Sequence, residues 1–274
     1  AFIDGPVSAV AWFASITRRC TPAIAPHALH SRDALQRQLC CSSVARCRIA
    51  AMAAAPRSDR SLLFITGLVL AGLMLLDATS LDVALARAMG GAEGFPLRDH
   101  WFLTQVLHTG GRRAAWVLSA GLALAVLWPV GPLRQLNWQS RVQLAVTTPL
   151  VSLSVSALKW LSLTSCPWDL KLFGGWLPYV PHWSAVADGG GGHCFPAGHA
   201  SAGFAFIGGY FVFRNVAPRT ARIWLQASLA SGLLLGLAQQ LRGAHFMSHT
   251  LWTALVAWCI AFAVDTAWQH WKRE

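Results

Sequence analysis

Long apolar stretches separated by short polar ones dominate the chain from residue 62 onward. Six of them can be marked: Leu62–Leu76, Ala114–Val130, Val142–Leu161, Ala200–Val212, Ile223–Leu237 and Leu251–Val264. None alternates with period two, so strands are not predicted. A membrane-crossing helix needs about 20 apolar residues, and shorter runs are accommodated by tilt and flanking Trp. The pattern therefore predicts an all-α polytopic membrane protein, a six-transmembrane-helix bundle. Gly recurs inside the runs, as expected where membrane helices pack closely.

Composition agrees with that pattern. Hydrophobic residues make up 55% of the 274 and charged residues only 12%, with 14 Trp and a mean hydropathy of +0.46. Soluble domains carry about 25% charged residues. A disordered chain, a coiled coil and most soluble enzymes are excluded. Residues 1–51 differ from the rest: they lack a long apolar run and hold six Arg and four of the seven Cys (Cys20, Cys40, Cys41, Cys47). Met52, followed by Arg57, Arg60 and an apolar run, reads as a bacterial inner-membrane start. The expected organisation is an N-terminal extension over 1–51, either upstream sequence or an Arg-rich leader, and a membrane domain over 52–274.

The formal charge of +11 could signal nucleic acid, an anionic surface or an anionic substrate. Its distribution decides. With the residues before the first run inside, nine Lys and Arg fall in inside segments and seven outside, and the inside loops are much shorter. The higher inside density puts both termini in the cytoplasm. The long loops 78–113 and 162–199 then lie on the periplasmic side with His100, His108, His182, His193, His199, His245 and His249. Most of the charge sets topology, and nucleic acid need not be considered. The expected location is a bacterial-type inner membrane.

Three ionisable clusters adjoin that outer edge: K-W-L-S-L-T-S-C-P-W-D from Lys159 to Asp169, H-C-F-P-A-G-H-A-S from His193 to Ser201, and R-G-A-H-F-M-S-H from Arg242 to His249. Charges at a membrane edge are costly and point to function. Arg242, His245 and His249 share a face if their stretch is helical. Arg offers a planar fork of donors to an oxyanion, and His can act as nucleophile, acid or base. Ordinary interfacial residues at a helix end, or a pair of metal-ligating His, are the competing readings of that cluster. No Glu lies between the His, so the zinc-protease pattern is absent. The Trp residues read mostly as interfacial belt residues, with Trp168 and Trp176 close enough to the clusters to contact a lipid chain.

Together the clusters resemble the motifs of the type-2 phosphatidic acid phosphatase superfamily, which includes bacterial membrane lipid phosphatases and, more distantly, vanadium haloperoxidases. The family motifs read KxxxxxxRP, PSGH and SRxxxxxHxxxD. Here Lys159 precedes Cys166-Pro167 at the right spacing, Pro196-Ala197-Gly198-His199 matches the second motif except for Ser, and Gly243 to His249 fits the third with His249 in place of Asp. The third-motif Arg aligns with Gln239, and Arg242 lies one turn later. The resemblance spans about residues 60–270.

It implies an integral membrane lipid phosphatase with its site at the periplasmic membrane edge. His245 would attack phosphorus, His199 would protonate the leaving alcohol and then activate water, and His249 would orient His245. Lys159, Arg242, Gly198 and Pro196 would bind the phosphate. No metal or other cofactor is implied. The partners are a phosphorylated lipid substrate and the surrounding membrane lipids. Candidate substrates are phosphatidylglycerol phosphate, phosphatidic acid, undecaprenyl diphosphate and phosphorylated lipid A. Asp169 or Asp188 is expected to stand in for the missing carboxylate. Cys166 and Cys194, both beside motifs in an oxidising compartment, are a possible disulfide; two free thiols are the alternative. A lipid phosphotransferase using the same His, and a haem- or metal-binding membrane protein, remain the alternative functions.

Overall fold

A computed structural model describes residues 59–272 and residue 274. The expected extension over 1–51 and the start at Met52 lie outside the described residues. Among the described residues the chain is helical, with only two isolated bridges, Gly91 to Gly94 and Leu170 to Leu177, in place of strands.

The helices are α1 (Asp59–Asp77), α2 (Leu81–Arg87), α3 (Gly111–Leu124), α4 (Trp138–Leu161), α5 (Ser201–Phe204), α6 (Gly208–Phe213), α7 (Pro218–Leu241) and α8 (Met247–Trp271). A π-helical stretch, Phe102–Gly110, runs directly into α3. A 3-10 turn, Ala205–Ile207, joins α5 to α6. Four helices, α1, α4, α7 and α8, are long and apolar enough to cross a membrane. The other two apolar runs are built differently from the pattern. The second begins earlier, in the π-helical stretch, and its helix stops at Leu124 ahead of Pro129. The fourth is short and broken by its 3-10 turn.

Local chemistry explains the ends. Asn137 caps α4, its side-chain oxygen accepting from Ser140 N at 2.8 Å. Pro149 lies inside α4 and can donate no backbone bond, and the neighbouring Thr147 and Thr148 hydroxyls donate back to Gln143 O and Leu144 O. Pro218 opens α7, and Gly243 at φ +74° turns the chain out of it.

Packing centres on α8, which contacts α1, α4, α6 and α7. Phe204, Ile207, Phe213, Leu144, Val151, Ala257 and Ala261 form the buried core. Close crossings depend on Gly. A Cβ on Gly203 would stand 2.2 Å from Gly232 N, and one on Gly236 would stand 2.2 Å from the Thr250 side chain. Large apolar side chains are exposed along the outer faces, among them Phe64 and Leu75 on α1, Val117 on α3, Leu153 on α4 and Ile223 on α7. Such a surface suits hydrocarbon rather than water.

The bundle has two chemically different ends. At one, buried Arg214 donates to Asp59 at 3.0 Å and to Asp265 at 2.9 Å, and Asp265 also accepts from Gln143 and Gln269. Arg214, counted from the sequence as a topological charge, is therefore also part of a buried ion-pair network. At the other end the last residues of α1, α4 and α7 meet the first residues of α5 and α8 and the π-helical stretch. All three ionisable clusters lie there.

Candidate active site

The loop 162–199 is stitched to its surroundings. Cys166 and Cys194 are joined by a disulfide with a Cα–Cα distance of 5.2 Å. His193 N donates to Ser162 O, Cys194 N to Thr164 O and Phe195 N to the Ser162 hydroxyl. Ala197 N donates to His249 O, and the Thr253 hydroxyl donates to Ala197 O. The second motif is thus clamped between the end of α4 and the start of α8, with Pro196 and Ala197 buried.

This clamp brings the predicted residues together. A Cβ on Gly198 would lie 3.5 Å from Lys159 Cδ and 3.9 Å from Nζ, so the Lys159 side chain runs along the glycine. The His199 ring stacks on His108 with centroids 3.7 Å apart. Burial is the main cause that lowers the His199 pKa to about 3, and His108, Lys159, Arg112 and Arg242 add to it. His245 is only 3% exposed. Its imidazole is held well below the ordinary range, first by burial and then by Lys159, His249 and His199, while a hydrogen bond to the Cys194 backbone acts in the opposite sense. Both imidazoles are therefore neutral at pH 7, and a nucleophilic His must be neutral to attack. The charges acting on His199 are all basic, which makes the place attractive to an anion.

The nitrogen His245 Nδ1 lies 3.6 Å from Cys194 Sγ. The His249 ring is 5.7 Å from that of His245, centroid to centroid, and its Nδ1 is buried without a hydrogen-bond partner.

The third cluster is not one helical face. Arg242 caps the end of α7, Gly243 turns the chain, and α8 starts only at Met247. The physical reason is the left-handed Gly243, where a Cβ would come within 2.2 Å of the Phe95 ring. The turn still leaves His245 beside His249. Arg242 is braced rather than free: its Nε donates to Arg98 O at 2.8 Å and its Nη1 to Gln239 Oε1 at 3.0 Å. Gln239, which occupies the motif Arg position, is thus a buried support for Arg242. The Trp168 ring lies under both Arg98 and Arg242, at 4.7 and 5.9 Å.

Asp188 does not back the histidines. Its carboxylate accepts from Ser165 N, the Ser165 hydroxyl and Gly190 N, and so shapes the loop. Beside the site, Asp77 Oδ2 lies 3.2 Å from His182 Nε2. Sequence reasoning missed the parts played by Asp77, His182 and Arg112, and placed His108 only among the histidines of the outer side. The available signal was Asp77 itself, a carboxylate ending the first apolar run.

One trio of described residues, Cys166, Cys194 and His245, brings metal-ligating atoms within 4.8 Å of one another. The disulfide occupies both sulfurs, which leaves a single His ligand.

Comparison with curated proteins and with solved structures gives no match. Comparison with family models matches residues 141–273 to the PAP2 superfamily. That segment holds Lys159, Cys166, Pro196, Gly198, His199, Arg242, His245 and His249. That match covers 133 of the 274 residues, and over them the chain is similar to the PAP2 superfamily.

Proposed function

We propose that the protein is an integral membrane lipid phosphatase acting through a phosphohistidine on a lipid phosphate monoester or diphosphate. The PAP2 similarity implies phosphatase activity, and the four long apolar helices imply a membrane protein. The observation that carries the finer reading is the convergence of a buried neutral His245, a neutral His199 and Lys159 at one end of the bundle.

In the first step the free nitrogen of His245 attacks phosphorus and the bond from phosphorus to the lipid oxygen breaks. His199 gives that oxygen a proton. In the second step His199 takes a proton from water, the water oxygen bonds phosphorus, and the phosphorus–nitrogen bond breaks to free phosphate. Lys159 and Arg242 hold the non-bridging oxygens as charge develops. Gly198 and Pro196 shape the floor of the site, and His249 orients His245. Because His199 is neutral at pH 7, the proton it passes to the leaving oxygen comes from a phosphate monoester bound as its monoanion.

The π-helical stretch with α3, and α5 with α6, complete a six-helix membrane bundle in this reading. Both termini are cytoplasmic and the site faces the periplasm of a bacterial inner membrane. The residues over 1–51 are an extension outside the working domain.

Phosphate release from a panel of lipid phosphates tests the roles. His199→Ala should lose about 100-fold or more in kcat, the usual size of a general acid–base contribution. A His199→Ala variant that keeps the wild-type rate on a substrate with a poor leaving group would remove His199 from the mechanism.

A further inference from the structure

The third motif lacks its carboxylate, because His249 stands where the family has Asp. An imidazole that gains a phosphoryl group becomes cationic, and a carboxylate behind it normally stabilises that charge. The negative charge has to come from elsewhere, and the structure has a candidate one ring further back.

The His182 ring meets His249 edge to face, with centroids 5.2 Å apart and planes at 85°. His182 is fixed on both sides. It stacks on Phe195 at 4.2 Å, and its Nε2 is 3.2 Å from Asp77 Oδ2. The same oxygen accepts from the indole N–H groups of Trp183 and Trp252, each at 2.8 Å. The other oxygen, Oδ1, is buried and has no partner. Asp77 thus gathers two indole N–H donors and the His182 Nε2 at one oxygen and leaves the other oxygen without a partner beside the histidine group. Asp82 stands close by and accepts from the backbone N–H and hydroxyl of Ser248, the residue before His249. The charged and titratable groups facing His182 are Asp77 from α1, Asp82 from α2 and His249 from α8. Burial lowers the His182 pKa, and both carboxylates oppose that lowering.

A structural reading would make Asp77 only a tie for two indoles. Neutral N–H donors are satisfied equally by an amide oxygen, so that role does not need the charge. We propose that Asp77 and His182 form a positioning dyad that supplies, through His249, the negative charge missing from the third motif.

The inference rests on the phosphatase reading of His245. Its test compares kcat and KM for lipid phosphate hydrolysis in wild type, Asp77→Asn, His182→Asn, and each combined with His249→Asp. Asp77→Asn keeps an acceptor for the indoles and removes the charge. It should lower kcat by about 10–100-fold, as loss of an outer-shell partner does, and leave KM unchanged. His182→Asn should do the same. His249→Asp, which puts a carboxylate directly behind His245, should restore kcat in both backgrounds. Wild-type kcat in Asp77→Asn and His182→Asn, or no rescue by His249→Asp, overturns the dyad. If the wild-type protein hydrolyses no lipid phosphate, the phosphatase reading itself fails. The dyad is then judged by imidazole ¹⁵N resonances of the full-length protein in nanodiscs. Asp77→Asn should shift the His182 and His249 signals, and unshifted signals overturn it.

Discussion

Replacing both Cys166 and Cys194 by Ala should destabilise the protein by about 3.5 kcal/mol. The bond closes a loop with a sequence separation of 28. In the chain-entropy treatment a loop of that size removes about 12 cal/mol/K from the unfolded chain, which at 25 °C gives that figure. The native loop should keep its place. The bonds from His193 N to Ser162 O, Cys194 N to Thr164 O and Phe195 N to the Ser162 hydroxyl do not involve sulfur. The loss therefore lies mostly in the unfolded state. Cys194 also lies against His245, so kcat should fall as the imidazole gains freedom. Thermal unfolding in detergent, followed by Trp fluorescence, reads the first effect. The midpoint should drop by roughly 10 °C, and a thiol reductant should lower the wild type toward the variant. A variant that melts with wild type, or a wild type whose two cysteines alkylate without reduction, refutes the reasoning.

Other outcomes follow from the packing and the buried charges. Gly203→Val should lower the unfolding midpoint, because the added carbon meets the Gly232 backbone, whereas Gly67→Val, with open space around it, should not. Asp265→Ala should cost about 3–5 kcal/mol by leaving Arg214 buried with only the exposed Asp59 as a partner, and adding Arg214→Met should recover much of the loss; an undiminished midpoint in Asp265→Ala contradicts the network. His199 binds its proton only near pH 3 when folded but near 6.5 when unfolded, so protons favour the unfolded chain. Stability should fall as pH drops from 6.5 toward 3, and His199→Gln should flatten that slope; a slope unchanged by the substitution would contradict the burial of the imidazole.

Much of the fold was readable because hydrocarbon imposes a simple rule. Backbone groups in lipid must be satisfied within a helix, so an apolar run of sufficient length becomes one. That logic held for α1, α4, α7 and α8. It was weaker for the second run, which a π-helical stretch precedes and whose regular helix stops at Leu124, and for the fourth, which a 3-10 turn breaks; hydropathy does not encode either feature. The site divides the same way. Lys159, His199 and His245 carry motif spacing, and their convergence was legible. Arg242 shares a face with His245 and His249 only if the stretch is helical, and the left-handed Gly243, packed against Phe95 of a distant loop, breaks that helix. Asp77 and His182 are 105 residues apart. Only the folded bundle brings a carboxylate from the end of α1 to a histidine of the loop.

The central claim is that His245 is the nucleophile of a lipid phosphatase. Its most direct test is phosphate release by wild type and His245→Ala across phosphatidic acid, phosphatidylglycerol phosphate, undecaprenyl diphosphate and phosphorylated lipid A. Wild type should release phosphate from at least one lipid and trap an acid-labile phosphoenzyme, and His245→Ala should do neither. Turnover of the same lipid by His245→Ala at the wild-type rate would contradict the account.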